Sequence, residues 1–164
     1  MLKIFLIRYN NFTMESGVSY MDEVDQRIVE LLRANSRMSS SEISKRVHLS
    51  VPAVAERIRK LEERQIIQSF TVKLNREKLG QTLIAYIFVS IERPEHISGF
   101  KEHVLQNSAV LECHHLAGEY DYLLKVATAG TSGLETLISR ELKGIPGLVK
   151  TNTIITLSSV KEEG

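Results

Sequence analysis

Residues Ser39 to Glu63 read SSSEISKRVHLSVPAVAERIRKLEE, the pattern of two short helices joined by a tight turn. The spacing Ser39-x-x-Glu42 predicts a capping box, in which each side chain satisfies a backbone N–H of the other residue. Ile43 and Val47 share one face of this first helix. His48-Leu49 make the turn, and Ser50 is placed to cap a second helix. Pro52 falls in the first turn of that helix, where its missing N–H has no helical partner to lose. Val54, Ile58 and Leu61 follow at i, i+4 and i+7, a single apolar stripe. At about 100° per residue, Ala53, Glu56 and Lys60 point away from the stripe, with Arg57 and Arg59 on its flanks. Such a helix suits a major groove, its first turn reaching base edges while basic groups meet phosphates. On this reading double-stranded DNA is the partner. Ser50, Val51, Pro52, Ala53, Glu56 and Arg57 form the base-edge group, and Arg37, Ser39, Ser40, Arg59 and Lys60 the phosphate group. The competing reading is a helical hairpin with a solvated charged face.

Upstream, Asp22-x-x-Asp25 begins another helix, with acids in the first turn where the helix dipole favours them. Val24, Ile28, Leu31 and Leu32 give its stripe, and Asn35-Ser36-Arg37 ends it. Three helices can then close a small core from Val24, Ile28, Leu31, Ile43, Val47, Leu49, Val54, Ile58 and Leu61. A core this thin needs support, and Ile66 to Leu74 is expected to supply a strand, with a boundary at Asn75 to Gly80. Residues 1–20 fit nothing else. Leu2 to Ile7 is too short for a signal-peptide core and lacks a cleavage site, Asn10 to Tyr20 has no period, and Met14 and Met21 both precede the first patterned helix. Residues 1–20 are therefore expected to be an optional, poorly ordered extension.

After Gly80 the period changes. Leu83 to Ile91 is apolar on both faces, with Leu83, Ala85, Ile87, Val89 and Ile91 on one and Ile84, Tyr86 and Phe88 on the other, which predicts a strand. Glu95 to Gln106 is helical by Ile97, Phe100, Val104 and Leu105. Val110 to Ala117 and Tyr120 to Thr128 are strands about a turn at Gly118-Glu119. A second helix carries Leu134, Leu137, Ile138 and Leu142, and Leu148 to Leu157 is a last strand. The order βαββαβ is that of a ferredoxin-like antiparallel sheet with both helices on one face. The helix-free face is apolar too, so a second sheet is expected against it and the chain is expected to be a homodimer. The fold class is α+β: a three-helix, winged helix-turn-helix domain at 21–64, a linker strand and hinge at 65–82, and the sheet domain at 83–164.

Composition agrees with a globular chain: 164 residues, 43% hydrophobic, 25% charged and a net charge of +1. The charge is unevenly spread. Residues 1–80 hold 14 Lys and Arg against 10 Asp and Glu, and residues 81–164 hold 7 against 10, so +4 becomes −3. The first half suits a polyanion, the second a small molecule or another protein. One cysteine, Cys113, excludes an intramolecular disulfide and fits a reducing cytoplasm. No apolar run approaches the ~18 residues of a membrane span.

Several blocks together resemble the Lrp/AsnC, or feast/famine, transcription regulators over Met21 to Lys161. They are Met21-Asp22-x-x-Asp25-x-x-Ile28, Arg37-Met38-Ser39, Leu49-Ser50, Val54-x-x-Arg57-Ile58-x-x-Leu61-Glu62, Ile66-Ile67, Gly118-x-Tyr120-Asp121-Tyr122 and Thr151-x-Thr153. His48 and Gln65 stand where that family usually has glycine. If those positions need positive φ, both residues carry a steric cost and the helical half is less stable for it. The resemblance implies an N-terminal DNA-binding unit and a C-terminal unit that binds an amino-acid effector between neighbouring dimers. It also implies dimers assembling further, up to an octamer. The implied effector residues are His114, Gly118, Tyr120, Asp121, Thr131, Thr151, Thr153, Ile155 and Thr156.

Read on its own chemistry, Gly118-Glu119-Tyr120-Asp121 allows close backbone approach and offers a carboxylate for a ligand ammonium. A hairpin turn whose Asp bonds its own backbone is the alternative. Glu112-Cys113-His114-His115 invites a metal or nucleophile reading, but a strand points Cys113 and His115 one way and Glu112 and His114 the other. No second cysteine or HExxH completes a site, and no phosphate loop or nucleophile elbow is present, so neither enzyme activity nor a cofactor is expected. Two other classes compete with the regulator: an amino-acid sensor or enzyme subunit whose helical half docks a protein, and an RNA-binding sheet. The latter needs exposed aromatics with basic neighbours on its central strands, and Tyr120 and Tyr122 are followed only by Lys125.

Overall fold

The structure is a computed structural model that describes residues 21–162, so the extension expected over residues 1–20 lies outside it. The chain forms two compact units, divided after Val72.

The first unit contains helices α1 (Glu23–Ala34), α2 (Ser40–Val47) and α3 (Val51–Glu63). Ile28, Leu31, Leu32, Ile43, Val54 and Leu61 are buried together, and Val24, Val47, Leu49 and Ile58 pack around them half-buried. The expected strand at Ile66–Leu74 does not form, and between Arg64 and Thr82 the only regular structure is one 3-10 turn, Glu77–Leu79. Alternating apolar side chains make a strand only where a ladder takes up the backbone groups. No ladder includes this segment, and Phe70, Val72 and Leu74 stand exposed.

The second unit contains β1 (Leu83–Ile91), α4 (Ile97–Gln106), β2 (Val110–His115), β3 (Tyr122–Thr128), α5 (Thr131–Thr136) and β4 (Leu148–Ile155). Its sheet has the order β2-β3-β1-β4 with every pairing antiparallel. Ala85, Ile87 and Val89 of β1 and Tyr122, Leu124 and Val126 of β3 are buried against Phe100, Val104, Leu134, Leu137 and Leu142 of the helical layer. Two details depart from the periodic reading. Leu105 is 86% exposed, because Phe100 and Val104 already fill the inner face of α4. The helix after Thr136 widens into a π-helical stretch, Leu137–Leu142.

The opposite face of the sheet carries Ile84, Tyr86, Phe88, Leu123 and Ile154. Among the described residues no helix lies on it. Lys125, on the same face, bonds Glu112 at 3.0 Å and Glu162 of the C-terminal segment.

Both positions that depart from glycine adopt the left-handed conformation, His48 at φ 56° and Gln65 at φ 57°. A side chain there costs about 1–2 kcal/mol, while glycine loses about 0.5–1 kcal/mol through its freer unfolded chain. His48→Gly and Gln65→Gly are each expected to stabilise the helical unit by about 0.5–1 kcal/mol. Hydrogen exchange at the Ile28 and Val54 amides reads this directly, and faster exchange in the variants would show that the native side chains more than offset their strain.

Candidate functional site

The turn between α2 and α3 exists because three local devices agree. Ser39 Oγ accepts from the Glu42 N–H at 3.3 Å while the Glu42 carboxylate accepts from the Ser39 N–H at 2.8 Å, closing the capping box. His48 reverses the chain in its left-handed conformation. Ser50 Oγ then accepts from the Ala53 N–H at 3.4 Å to start α3. With Val54 and Leu61 in the core, the outer side of α3 exposes Ser50, Val51, Pro52, Glu56, Arg59 and Lys60, with Ala53 half-buried. Arg37 and Ser39 are exposed and Ser40 is half-buried. Lys45 and Arg46, exposed in the last turn of α2, add cations that the helix-wheel reading of α3 passed over.

Arg57 has a different place from the one expected. Its Nη1 donates to Asp22 Oδ2 and Asp25 Oδ1, both at 2.7 Å, tying the middle of α3 to the start of α1. Asp22 is at the same time the cap of α1, accepting from the Asp25 N–H at 2.7 Å. That N–H first, and Arg57 second, hold the Asp22 carboxyl below its ordinary range. Further along, Glu56 is held by the Arg59 guanidinium, chiefly through hydrogen bonds, which draws its carboxyl down to about 2.

In the second unit the loop between β2 and β3 is anchored by Asp121. Its N–H donates to Val89 O at 2.9 Å and its O accepts from the Leu116 N–H at 2.8 Å. The carboxylate Oδ2 accepts from the Ile91 N–H at 2.7 Å, beside the bulge where the β1–β4 register shifts. Tyr120 packs on Phe88 with centroids 5.2 Å apart, and Lys150 Nζ sits 4.8 Å from the Tyr120 ring centre and 2.9 Å from Glu119. A Cβ on Gly118 would meet nothing, so its backbone faces open space.

The nine expected effector residues do not converge within one chain. Gly118, Tyr120, Asp121 and Thr151 lie at the end of the sheet where Val89 pairs with Tyr122 and Thr151. Thr131, Ile155 and Thr156 lie towards the other end, where Leu83 pairs with Thr128 and Ala85 with Ile155. Six residues of β3 span roughly 20 Å between those ends. Thr153 sits between them opposite Ile87, and His114 is on the helix-free face opposite Leu123. Glu112 and His114 share that face, 3.2 Å apart, while Cys113 and His115 face the helices. His115 stacks on Tyr122 at 4.9 Å, and Tyr122 is 2% exposed, so it offers no ring to a nucleic-acid base.

Comparison with known proteins gives the same division of the chain. The AsnC-type helix-turn-helix domain matches residues 21–62, and the Lrp/AsnC ligand binding domain matches residues 84–164. The leucine-responsive regulatory proteins of Klebsiella pneumoniae and Escherichia coli K12 are each 33% identical over 144 residues, covering 87% of this chain and 88% of theirs. A transcriptional regulator of Neisseria meningitidis, solved as its L-Met complex, superimposes with a TM-score of 0.84 at 28% identity over 87% of this chain and 94% of that one. Escherichia coli AsnC shares the fold, with a TM-score of 0.81 at 20% identity over 88% of this chain and 97% of that one.

The Arg57 bridge yields a test with a definite pH dependence. Arg57→Ala leaves the largely buried Asp25 carboxylate without this partner and is expected to cost about 1–2 kcal/mol at neutral pH. Asp22 has its folded pKa depressed, so its contribution is present above its unfolded value of 3.8 and is lost as pH falls through the lower folded one. Exchange of the α1 and α3 amides should therefore separate parent and variant most above about pH 4, with the gap narrowing below it. A constant gap down to pH 2 would mean that the ion pair contributes nothing.

Proposed function

The chain belongs to the Lrp/AsnC family of transcription regulators, and on that premise we propose how it binds double-stranded DNA and answers an amino-acid effector. One observation carries the DNA-binding part: the doubly capped α2–α3 pair buries Val54 and Leu61 and turns the first turns of α3 outward. Ser50, Val51, Pro52, Ala53 and Glu56 are the base-edge group, and Arg37, Ser39, Ser40, Lys45 and Arg46 the phosphate group. Arg57 supports the unit from within. We assign no catalytic role to any residue and place the protein in the cytoplasm, where a regulator meets DNA. Among the described residues no helix is long and apolar enough to cross a membrane.

Two of the relatives are named leucine-responsive and the Neisseria meningitidis regulator was solved as its L-Met complex, and an amino acid is the ligand class we propose here. Asp121 uses Oδ2 on Ile91 and keeps acceptor capacity on Oδ1 for a ligand ammonium. Hydroxyls and backbone donors near Thr151, Thr153 and Thr156 would receive the ligand carboxylate. Because residues implied for one site lie at opposite ends of one sheet, a second copy of the chain completes it. A homodimer through the helix-free face, assembling further, follows from this reading.

Calorimetric titration of the twenty amino acids into the full chain tests the effector site. At least one should bind, and Asp121→Asn should weaken it by roughly one to two decades, the loss of a charge-assisted bond of about 1.5–3 kcal/mol. The asparagine still offers an oxygen to the Ile91 N–H, so stability should be nearly kept, whereas Asp121→Ala should lose both. Unchanged affinity in Asp121→Asn would reduce Asp121 to a strand anchor.

A further inference from the structure

Helix α3 is electrically balanced, carrying Arg57, Arg59 and Lys60 against Glu56, Glu62 and Glu63. Its cations are also committed. Arg57 is bound to Asp22 and Asp25. Arg59 is gripped from both sides, by Glu56 one turn before it and by Glu63 one turn after it. Its fork takes both oxygens of Glu56, Nε to Oε2 at 2.8 Å and Nη2 to Oε1 at 2.7 Å, and Lys60 Nζ lies 3.6 Å from Oε1. The exposed carboxylate of Glu56, in the second turn of α3, is thus held in one orientation with its charge offset.

We propose that Glu56 reads the exocyclic amino group of a cytosine in the major groove, and that Arg59 and Lys60 orient and neutralise it instead of binding phosphate. This rests on the reading of α3 as the DNA-contacting helix. A carboxylate has about four acceptor positions, and the Arg59 fork takes two of them, leaving acceptor capacity on the outer side. In the major groove only cytosine and adenine present an amino donor, and adenine sets an N7 acceptor beside it that repels a carboxylate. Cytosine N4 is therefore the matching partner. A fixed, charge-compensated carboxylate approaches the polyanion with less repulsion than a free one, and the unit's general attraction for DNA is left to cations outside α3.

Selection of the full-length protein on a randomised duplex pool, followed by sequencing, tests this. The parent is expected to enrich cytosine at one position of each half-site. Glu56→Gln should lower that preference about fivefold or more and leave the other positions unchanged. Arg59→Ala should loosen the same position while the slope of log affinity against log salt stays as in the parent. The proposal is overturned if Glu56→Gln keeps the parental preferences. It is equally overturned if Arg59→Ala keeps them and flattens the salt slope by roughly one unit, the mark of a lost phosphate contact. A parent that enriches no sequence overturns the DNA-binding reading itself and this inference with it.

Discussion

Strand β1 is apolar on both faces, and among the described residues a layer of helices covers one of them. Ala85, Ile87 and Val89 vanish beneath α4 and α5, whereas Ile84, Tyr86 and Phe88 across the backbone stay half-exposed. Apolar area left in water weighs about 25 cal/mol per Å² against the single chain, and a sheet face is the kind of flat surface that a second copy can cover. The homodimer proposed above rests on this imbalance. A chain that closes its sheet against another copy becomes two-fold symmetric, which is the symmetry of paired half-sites on DNA. On the proposed reading, dimers closed in this way assemble further, and sheet ends from neighbouring dimers come within reach of each other. That is the condition for Asp121 of one copy and Thr131 or Ile155 of another to share a ligand.

The helical unit meets the opposite problem. Among the described residues its core rests on six buried side chains, and a three-helix unit of this size has little hydrophobic stabilisation to spare. Two left-handed side chains subtract from it. Local polar devices make up the difference: Asp22, Ser39 and Ser50 cap the three helices, and the Arg57 bridge ties the third to the first. One acid in that bridge serves twice, Asp22 as cap and counterion, so a small number of residues fixes the pose of the helix that faces DNA.

Local signals in the sequence translated well, because capping, turns and strand alternation act over a few residues. Ser39 and Glu42 are three apart and form the box that their spacing predicts. His48 stands at a glycine position and adopts the glycine conformation. Longer-range facts were not legible. Arg57 lies on the flank of a helix wheel, and nothing in its neighbourhood announces partners 32 and 35 residues away. Asp121 reads as a turn former or a ligand acceptor, and nothing near it in sequence announces that its carboxylate also accepts from a backbone N–H thirty residues back along the chain. The segment Ile66–Leu74 has the composition of a strand, yet among the described residues no ladder includes it. Of the expected effector residues, Gly118, Tyr120, Asp121, Thr151 and Thr153 lie in family motifs, and the sheet register sets Thr131, Ile155 and Thr156 towards the opposite end from the loop, because a motif records residue types and not their distance in the fold.

Sedimentation velocity of the full chain at micromolar concentration tests this account most directly, with Phe88→Glu as the companion variant. The parent should run as a dimer or larger species, and a carboxylate at the centre of the helix-free face should drive the variant to a folded monomer while leaving the helical layer intact. A parent that sediments as a well-folded monomer, with Phe88 and Tyr86 stably in water, would contradict the second-copy closure on which the shared effector site depends.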